Sequence, residues 1–388
     1  LDEMPAHLDA QNPDRIWPSN WDDKVHGLFN ARYALNLSYN IPAATWFKDN
    51  IGTCLAYMKK SGIDRTDEPY ISTALGGFQS GISPTDMAAA YVPIANGGIY
   101  YEPVTYSKVY DRSGKIILDN SGSSGSIVYE NTATTSIMTS MLESVVWDSR
   151  STGKTAQLYK SDGTKIPSGG KTGTTNNIKD YWFSGFTAYY TAAVWYGYDN
   201  GTSINEKLEG RSAMIIWKAI MSRIHENLEI KDFDEASNTV KVEICTSSGK
   251  RATDACKADP RASHWVYEEI YIKGTEPDIS DVCDLHVRVN ICKLGQDQFG
   301  KYYLATDNCT NTETVTGLLR HSLPEDISDF TEDMFPTDWK YELSHEYCPI
   351  CTSSEEPDEP ETPDVPDDAD VPDTPETPPT DFPPPETA

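Results

Sequence analysis

Three short runs, Gly169 to Thr175, Tyr181 to Thr187 and Thr191 to Tyr198, are rich in aromatic, threonine and valine residues and are separated by breaks of only a few residues. Such runs are strands, and links this short can join only antiparallel neighbours, because a parallel connection needs a crossover of a dozen residues or more. The meander lies between two helical patterns. One spans Ala133 to Trp147, with Ile137, Met138, Met141, Leu142 and Val145 on one face; the other spans Arg211 to Leu228, repeating through Met214, Ile215, Trp217, Ile220, Met221 and Ile224. The expectation is an α/β fold in which helices flank an antiparallel sheet. Tyr181, Trp182, Phe183, Phe186, Trp195 and Tyr196 could form a stacking surface for sugars, but aromatic residues on strands more often fill a core, and core packing is the reading adopted.

A further helix is expected after Ser83-Pro84-Thr85-Asp86, which supplies an N-cap, a proline at the first helical position and an acid three residues on. Asn96-Gly97-Gly98 provides its left-handed stop, and Pro93 inside the pattern predicts a kink or an early end. Beyond residue 229 only scattered apolar runs remain, such as Val240 to Ile244 and His286 to Ile291, which describe a small β-rich module over residues 229 to 352. Residues 353 to 388 hold 13 Asp and Glu, no Lys or Arg, and 11 of the 25 prolines. That composition cannot bury enough apolar surface to offset chain entropy, so a disordered Pro-rich acidic tail is expected.

The tail carries nearly half of the formal charge of −28, and the acidic balance argues against nucleic acid as a partner. No run of about 18 apolar residues could span a bilayer, and the chain opens at Leu1 without a signal peptide, so it reads as a fragment. Seven of the eight cysteines follow residue 240 and only Cys54 precedes it. Clustering in one late segment suggests disulfides in an oxidising compartment. Metal is the competing account: Cys348-Pro349-Ile350-Cys351 and Cys283-Asp284-Leu285-His286 have ligand-like spacing and could supply one Cys₃His zinc site. Disulfide pairing is preferred, and neither a metal nor a cofactor is assigned.

The sharpest local signal is Lys171-Thr172-Gly173-Thr174-Thr175, on the first strand of the meander. A lysine ammonium and two hydroxyls can hold a substrate carboxylate, while the glycine lets the strand approach a ligand and offer a backbone N–H to a developing oxyanion. A nucleotide P-loop fails as an alternative, because Lys165 stands where its first glycine is required and a strand follows where a helix should. The second signal, Ser38-Tyr39-Asn40, follows an apparent helix from Ala31 to Leu37. Alone it is an ordinary turn. Together with lysine–threonine–glycine it forms two of the three parts of the catalytic set of penicillin-recognising enzymes, the third being serine–x–x–lysine.

From about residue 14 to 225 the sequence resembles the transpeptidase domain of class A high-molecular-weight penicillin-binding proteins. The resemblance is carried by Ala34 to Ala43, Ala74-Leu75-Gly76-Gly77, Gly81-Ile82-Ser83-Pro84, Ala95 to Gly98, and Gly170 to Thr175 with Asp180, Trp182-Phe183 and Gly185. It implies a penicillin-binding transpeptidase domain over residues 1 to 228, lacking its N-terminal part. Its activity would be D,D-transpeptidation of peptidoglycan stem peptides outside the cytoplasmic membrane, with β-lactams as suicide substrates. Membrane attachment would come through a missing N-terminal anchor, and the intact protein would carry a glycosyltransferase domain as well.

Position by position, the resemblance makes Ser38 a proton relay toward the leaving group, Asn40 a hydrogen-bond partner of the substrate amide, and Lys171 the electrostatic tuner of that relay. Thr172, Gly173 and Thr174 would bind substrate, the two threonines holding its carboxylate and the N–H of Thr174 serving as an oxyanion donor. Cys245, Ser248-Gly249 and Cys256 resemble the disulfide-containing extensions of some such proteins, which implies a Cys245–Cys256 bridge. The family's nucleophile and its lysine base precede the serine–x–asparagine loop, and no Ser-x-x-Lys occurs among residues 1 to 37, Asp22 standing three residues after Ser19. Later matches at Ser151 to Lys154, Ser168 to Lys171 and Ser247 to Lys250 lie in turns or overlap the strand. The chain is therefore expected to be inactive as it stands. A serine β-lactamase and a non-catalytic wall-binding or β-lactam-sensing protein are the rival readings.

Overall fold

The computed structural model describes residues 2–122, 124–261, 266–320 and 335–351. The helices that frame the site are α1 (Ala31–Leu37), α2 (Asn40–Asp49), α3 (Ile51–Lys60), α4 (Pro84–Ala95), α5 (Thr132–Trp147) and α6 (Ser212–His225). The expected meander forms β1 (Gly169–Thr174), β2 (Asp180–Phe186) and β3 (Thr191–Gly197), antiparallel, with β2 in the middle. Phe186 pairs with Gly169 and Tyr181 with Thr174 across β1, while Asp180 pairs with Gly197 across β3. Helices α4 and α5 cover one face of this sheet and α6 covers the other. The α/β class and the flanked antiparallel sheet stand as expected.

Alternation along β2 explains the two packing layers. Phe183 points to α6, where its ring meets Trp217 edge-on at 4.9 Å, and both are fully buried with Leu158, Met214 and Met221. Phe186 points the other way, toward Tyr91 of α4 and Phe233. Small residues make room for these rings: a Cβ on Gly169 would lie 2.8 Å from the Phe186 ring, and one on Gly170 would lie 2.6 Å from the Phe183 ring. The aromatic positions divide accordingly. Phe183 and Phe186 are core, as expected, whereas Tyr181, Trp182, Trp195 and Tyr196 are only partly buried.

Two helical faces differ from the sequence pattern. On α6 the buried positions are Ala213, Met214, Trp217, Met221 and His225, while Ile215, Ile220 and Ile224 are exposed. The helix is apolar around most of its circumference, and periodicity alone cannot say which arc meets the sheet. On α5 the buried row is Ala133, Thr135, Thr139, Leu142, Val145 and Val146, so small threonines replace the expected Ile137, Met138 and Met141 where the backbone approaches β1. The Ser83 hydroxyl accepts from the N–H of Asp86 at 3.1 Å, as its capping pattern predicts. Helix α4 nevertheless runs through Pro93 to Ala95 before Gly97 and Gly98 turn the chain with positive φ.

Residues beyond α6 build two further sheets. β4 (Thr239–Cys245) pairs antiparallel with β5 (Val266–Ile272), and β6 (His286–Gln296) lies between β7 (Tyr302–Leu304) and β8 (Thr312–Leu318). Among the polar contacts that tie this region to the sheet-and-helix part, two stand out. Arg32 of α1 forms a bidentate pair with Glu269 of β5, and Asp338 accepts from the N–H of Leu28 at 2.9 Å.

The cysteines correct two expectations. All eight are free thiols, so Cys245 and Cys256 form no disulfide. Nor do Cys283 and His286 join Cys348 and Cys351: the former pair gathers with Cys245 and Cys256, and the latter with Cys292 and Cys309. The physical reason lies in β6, which starts at His286 and places Cys292 six residues farther on, about 20 Å at the rise of an extended strand. The acidic tail expected over 353 to 388 lies outside the described residues. Among the described residues no helix is long and apolar enough to cross a membrane.

Candidate active site

Ser38 closes α1 as its C-cap, with φ 57° and ψ 42°. A non-glycine residue in this left-handed region is uncommon, and here it aims the hydroxyl away from the helix axis toward β1. The Ser38 N–H bonds to the carbonyls of Ala34 and Leu35, and the N–H of Tyr39 to that of Ala34, so the turn is held from within. Asn40 then opens α2. Its N–H and that of Ile41 donate to the Asn20 side-chain oxygen at 2.9 and 3.3 Å, which caps α2 from a remote segment because Tyr39 offers no side-chain cap. The Asn20 amide in turn donates to both oxygens of Glu3 at 3.0 Å. Burial pushes the Glu3 carboxyl up to about 7.

Lys171 reaches the same point from β1. Its ammonium donates to Ser38 Oγ at 2.6 Å and to the Thr172 carbonyl at 3.0 Å. Both are neutral acceptors, and burial draws the ammonium down to about 8. Thr152 braces the two elements: its N–H donates to the Asn36 carbonyl in the last turn of α1 at 3.0 Å, and its hydroxyl lies 3.1 Å from that of Thr172. Trp21 completes the brace by donating from its indole N–H to the Leu37 carbonyl at 2.8 Å.

Ser38, Asn40, Thr172, Gly173 and Thr174 line one open cleft of about 1070 Å³, with Trp21, Thr152 and Trp182 on its walls. Lys171 meets Ser38 at the edge of that space, so the structure brings together all six residues singled out in the sequence. The Asn40 side chain is committed locally, its amide donating to the Ser19 carbonyl at 2.9 Å. Strand β1 is an edge strand of its sheet. Among the described residues its outer edge pairs with no other strand and can take an extended ligand. Sequence reasoning missed Asn20, Trp21 and Thr152. None left a sequence signal, since each is a single residue in a turn or irregular segment.

The later Ser-x-x-Lys matches do not form helical pairs. Ser151 donates to the Asp148 carbonyl at 2.7 Å in a turn, Ser168 is fully buried just before β1, and Ser247 accepts from Arg261 at 2.7 Å in the extension.

Residues 11–222 match the penicillin-binding protein transpeptidase domain family, and residues 235–288 match the C-terminal domain of penicillin-binding protein 1A. The chain belongs to the penicillin-binding protein transpeptidase family. Penicillin-binding protein 1A of Clostridium botulinum is 36% identical over 282 residues, covering 71% of this chain and 32% of the relative. The Aquifex aeolicus penicillin-binding protein 1A is 31% identical over 266 residues, covering 68% of this chain and 34% of the relative. The chain thus spans about a third of the length of these curated relatives. Its fold is similar to the crystal structure of penicillin-binding protein 1A from Haemophilus influenzae, with a TM-score of 0.59 at 22% identity, over 72% of this chain and 45% of that one. Family membership places the serine–x–asparagine and lysine–threonine–glycine segments in a transpeptidase fold.

Proposed function

We propose that this chain carries the Ser38, Asn40 and Lys171 part of a peptidoglycan D,D-transpeptidase centre, within a transpeptidase domain over residues 1–228. The observation that carries the reading is the 2.6 Å hydrogen bond between Lys171 Nζ and Ser38 Oγ at the edge of a cleft whose floor is an edge strand. A stem peptide ending in D-alanyl-D-alanine would lie extended along β1, with its carboxylate on the Thr172 and Thr174 hydroxyls. A serine hydroxyl then attacks the penultimate carbonyl carbon. Its proton passes to a base, the carbon–nitrogen bond breaks, and D-alanine leaves with a proton delivered through Ser38. An amine of a second stem peptide displaces the serine oxygen and completes the crosslink. Lys171 holds the Ser38 hydroxyl in place and lends positive charge to the relay, while the Thr174 N–H faces the developing oxyanion.

The attacking serine and its lysine base are not among residues 1–37, and Ser38 serves as relay, so the chain alone forms no acyl-enzyme. Work on stem peptides puts the domain outside the cytoplasmic membrane, and β-lactams are its inhibitors by the same acylation. On this reading the transpeptidase domain is followed by an appended module whose described residues end at Cys351.

Intact mass after incubation with excess penicillin tests the assignment. The chain as it stands is expected to keep its mass, whereas a chain extended upstream to include Ser-x-x-Lys gains one drug mass. In that longer chain Lys171→Ala slows acylation by on the order of 10²–10³, the usual loss for one preorganised electrostatic contact. An adduct on the present chain that Ser38→Ala abolishes would make Ser38 the nucleophile and refute its role as relay. Absence of any adduct in the extended chain favours a wall-binding protein.

A further inference from the structure

The appended module builds its interior from cysteine. Among the described residues beyond 229, ten apolar side chains are buried, and five of them are Cys245, Cys256, Cys283, Cys292 and Cys348. Its thiols fall into two groups, Cys245, Cys256 and Cys283 with His286, and Cys292, Cys309, Cys348 and Cys351. Within each group the ligand atoms all lie within 4.8 Å of one another. We propose that these are two structural zinc sites, one Cys₃His and one Cys₄, which hold the module in its fold.

Distances first distinguish this from disulfide pairing. Four sulfurs about 2.3 Å from a central zinc stand roughly 3.8 Å apart at the corners of a tetrahedron, and a zinc-bound imidazole nitrogen stands roughly 3.6 Å from each sulfur. Cys292 Sγ and Cys351 Sγ are 3.8 Å apart, and His286 Nδ1 is 3.4 Å from Cys245 Sγ and 3.3 Å from Cys283 Sγ. A disulfide needs about 2.05 Å between two sulfurs. The first group also holds an odd number of thiols, so pairing would leave one cysteine over beside a histidine.

The surroundings are those of ligands. His286 Nε2 lies 2.5 Å from Asp259 Oδ2, and that carboxylate is fixed by Arg261 through contacts of 2.8 and 3.1 Å. Nε2–H donates to the carboxylate, which leaves the Nδ1 lone pair facing the sulfurs, the arrangement that orients and strengthens metal-bound histidines. Backbone N–H groups donate to the sulfurs in turn: Ser248 to Cys245 at 3.4 Å, Thr253 to Cys256 at 3.3 Å and Thr306 to Cys309 at 3.3 Å. Such donors stabilise thiolates, the form a metal requires. Leu28, Ala252, Leu285 and Val266 pack around the first group and keep it dry.

The ligand sets are closed, four protein donors each, which is the pattern of structural rather than catalytic zinc. The first joins the end of β4, the helical turn Asp254–Lys257 and the start of β6; the second joins the middle of β6 to Cys309 and the Cys348 to Cys351 turn. Two small sheets with little apolar interior are thereby tied into one unit, much as other metal-dependent small modules gain their folding energy.

The test measures metal and thiols on the full chain. Protein purified with a reductant, exposed to zinc chloride and desalted is expected to hold two zinc ions per chain by elemental analysis. Both should be released when the thiols are titrated with an organomercurial. Cobalt(II) in place of zinc should give sulfur-to-cobalt charge-transfer bands and the visible spectrum of tetrahedral coordination. Cys283→Ser and Cys348→Ser should each lower the zinc count to one. If either variant fails to fold, the zinc count and cobalt spectrum of the unaltered chain still decide. Zinc binding of less than one ion per chain, iron rather than zinc in the Cys₄ group, or a mass lowered by the hydrogens of disulfides with no zinc bound in protein from an oxidising compartment would each overturn the proposal.

Discussion

Lys171→Met measures directly how strongly the cleft desolvates its ammonium. Burial places the folded-state pKa at about 8, against an ordinary lysine value of about 10.4 in the unfolded chain. Between those values the unfolded state binds more protons than the folded state, so stability rises with pH across the window and the penalty is largest below pH 8. At about 1.4 kcal/mol per pKa unit the full shift corresponds to about 3 kcal/mol, of which about 2 kcal/mol is recovered between pH 7.5 and 10. Methionine keeps the volume of the stem but cannot titrate. It also leaves Ser38 Oγ and the Thr172 carbonyl without their donor, a cost of about 1–3 kcal/mol that offsets relief from the buried charge at neutral pH. Tyr91, pushed up to about 12 by burial, acts in the opposite sense above pH 10, where the folded state holds its proton longer. The useful quantity is therefore the difference between the two proteins from pH 7.5 to 10, taken from urea unfolding followed by tryptophan fluorescence. The unaltered chain should gain about 2 kcal/mol more than Lys171→Met over that range. Parallel profiles would show that the ammonium is solvated and would remove the electrostatic basis of the relay.

Gly170→Ala should cost about 1–3 kcal/mol in urea unfolding, because the added methyl lies 2.6 Å from the Phe183 ring and 2.8 Å from the Ser184 carbonyl, with the sheet backbone unable to yield. An unchanged midpoint would mean that β1 and β2 can separate. Arg32→Met leaves Glu269 without its buried guanidinium partner and should destabilise by about 3 kcal/mol, whereas the double change Arg32→Met with Glu269→Leu should recover most of that loss. Equal losses in single and double variants, measured in the same unfolding cycle, would show that packing of the arginine stem rather than the ion pair joins α1 to β5.

The aromatic, threonine and valine content of the three runs and the short breaks between them need no tertiary information, so the meander and its antiparallel sense were legible in the sequence, as was the burial of Phe183 and Phe186. Ser38 and Lys171 were legible as candidates, because acyl-transfer chemistry uses those residue types and one ends a recognisable helix while the other lies on a recognisable strand. That they meet, at 2.6 Å across 133 residues of chain, is a tertiary fact that no local pattern encodes. Asn20 caps α2 from twenty residues away and Thr152 ties α1 to β1, both as single polar residues in irregular segments, where sequence offers no period to read. The exposed arc of α6 was unreadable because the helix is apolar nearly all round, and contact with the sheet alone selects Trp217 and Met221 over Ile215 and Ile220.

The cysteines show the division most sharply. Spacing within a chain can suggest ligand pairs, Cys283 with His286 and Cys348 with Cys351, but cannot say which pairs share a centre. The rise of one extended strand, β6, carries His286 and Cys292 apart and sorts the thiols into two sets. Sequence determined the residue types and the local elements, since both follow from side-chain chemistry and short-range periodicity. Only the tertiary structure decided which of them meet, since meeting depends on how sheets and helices bury their apolar faces together.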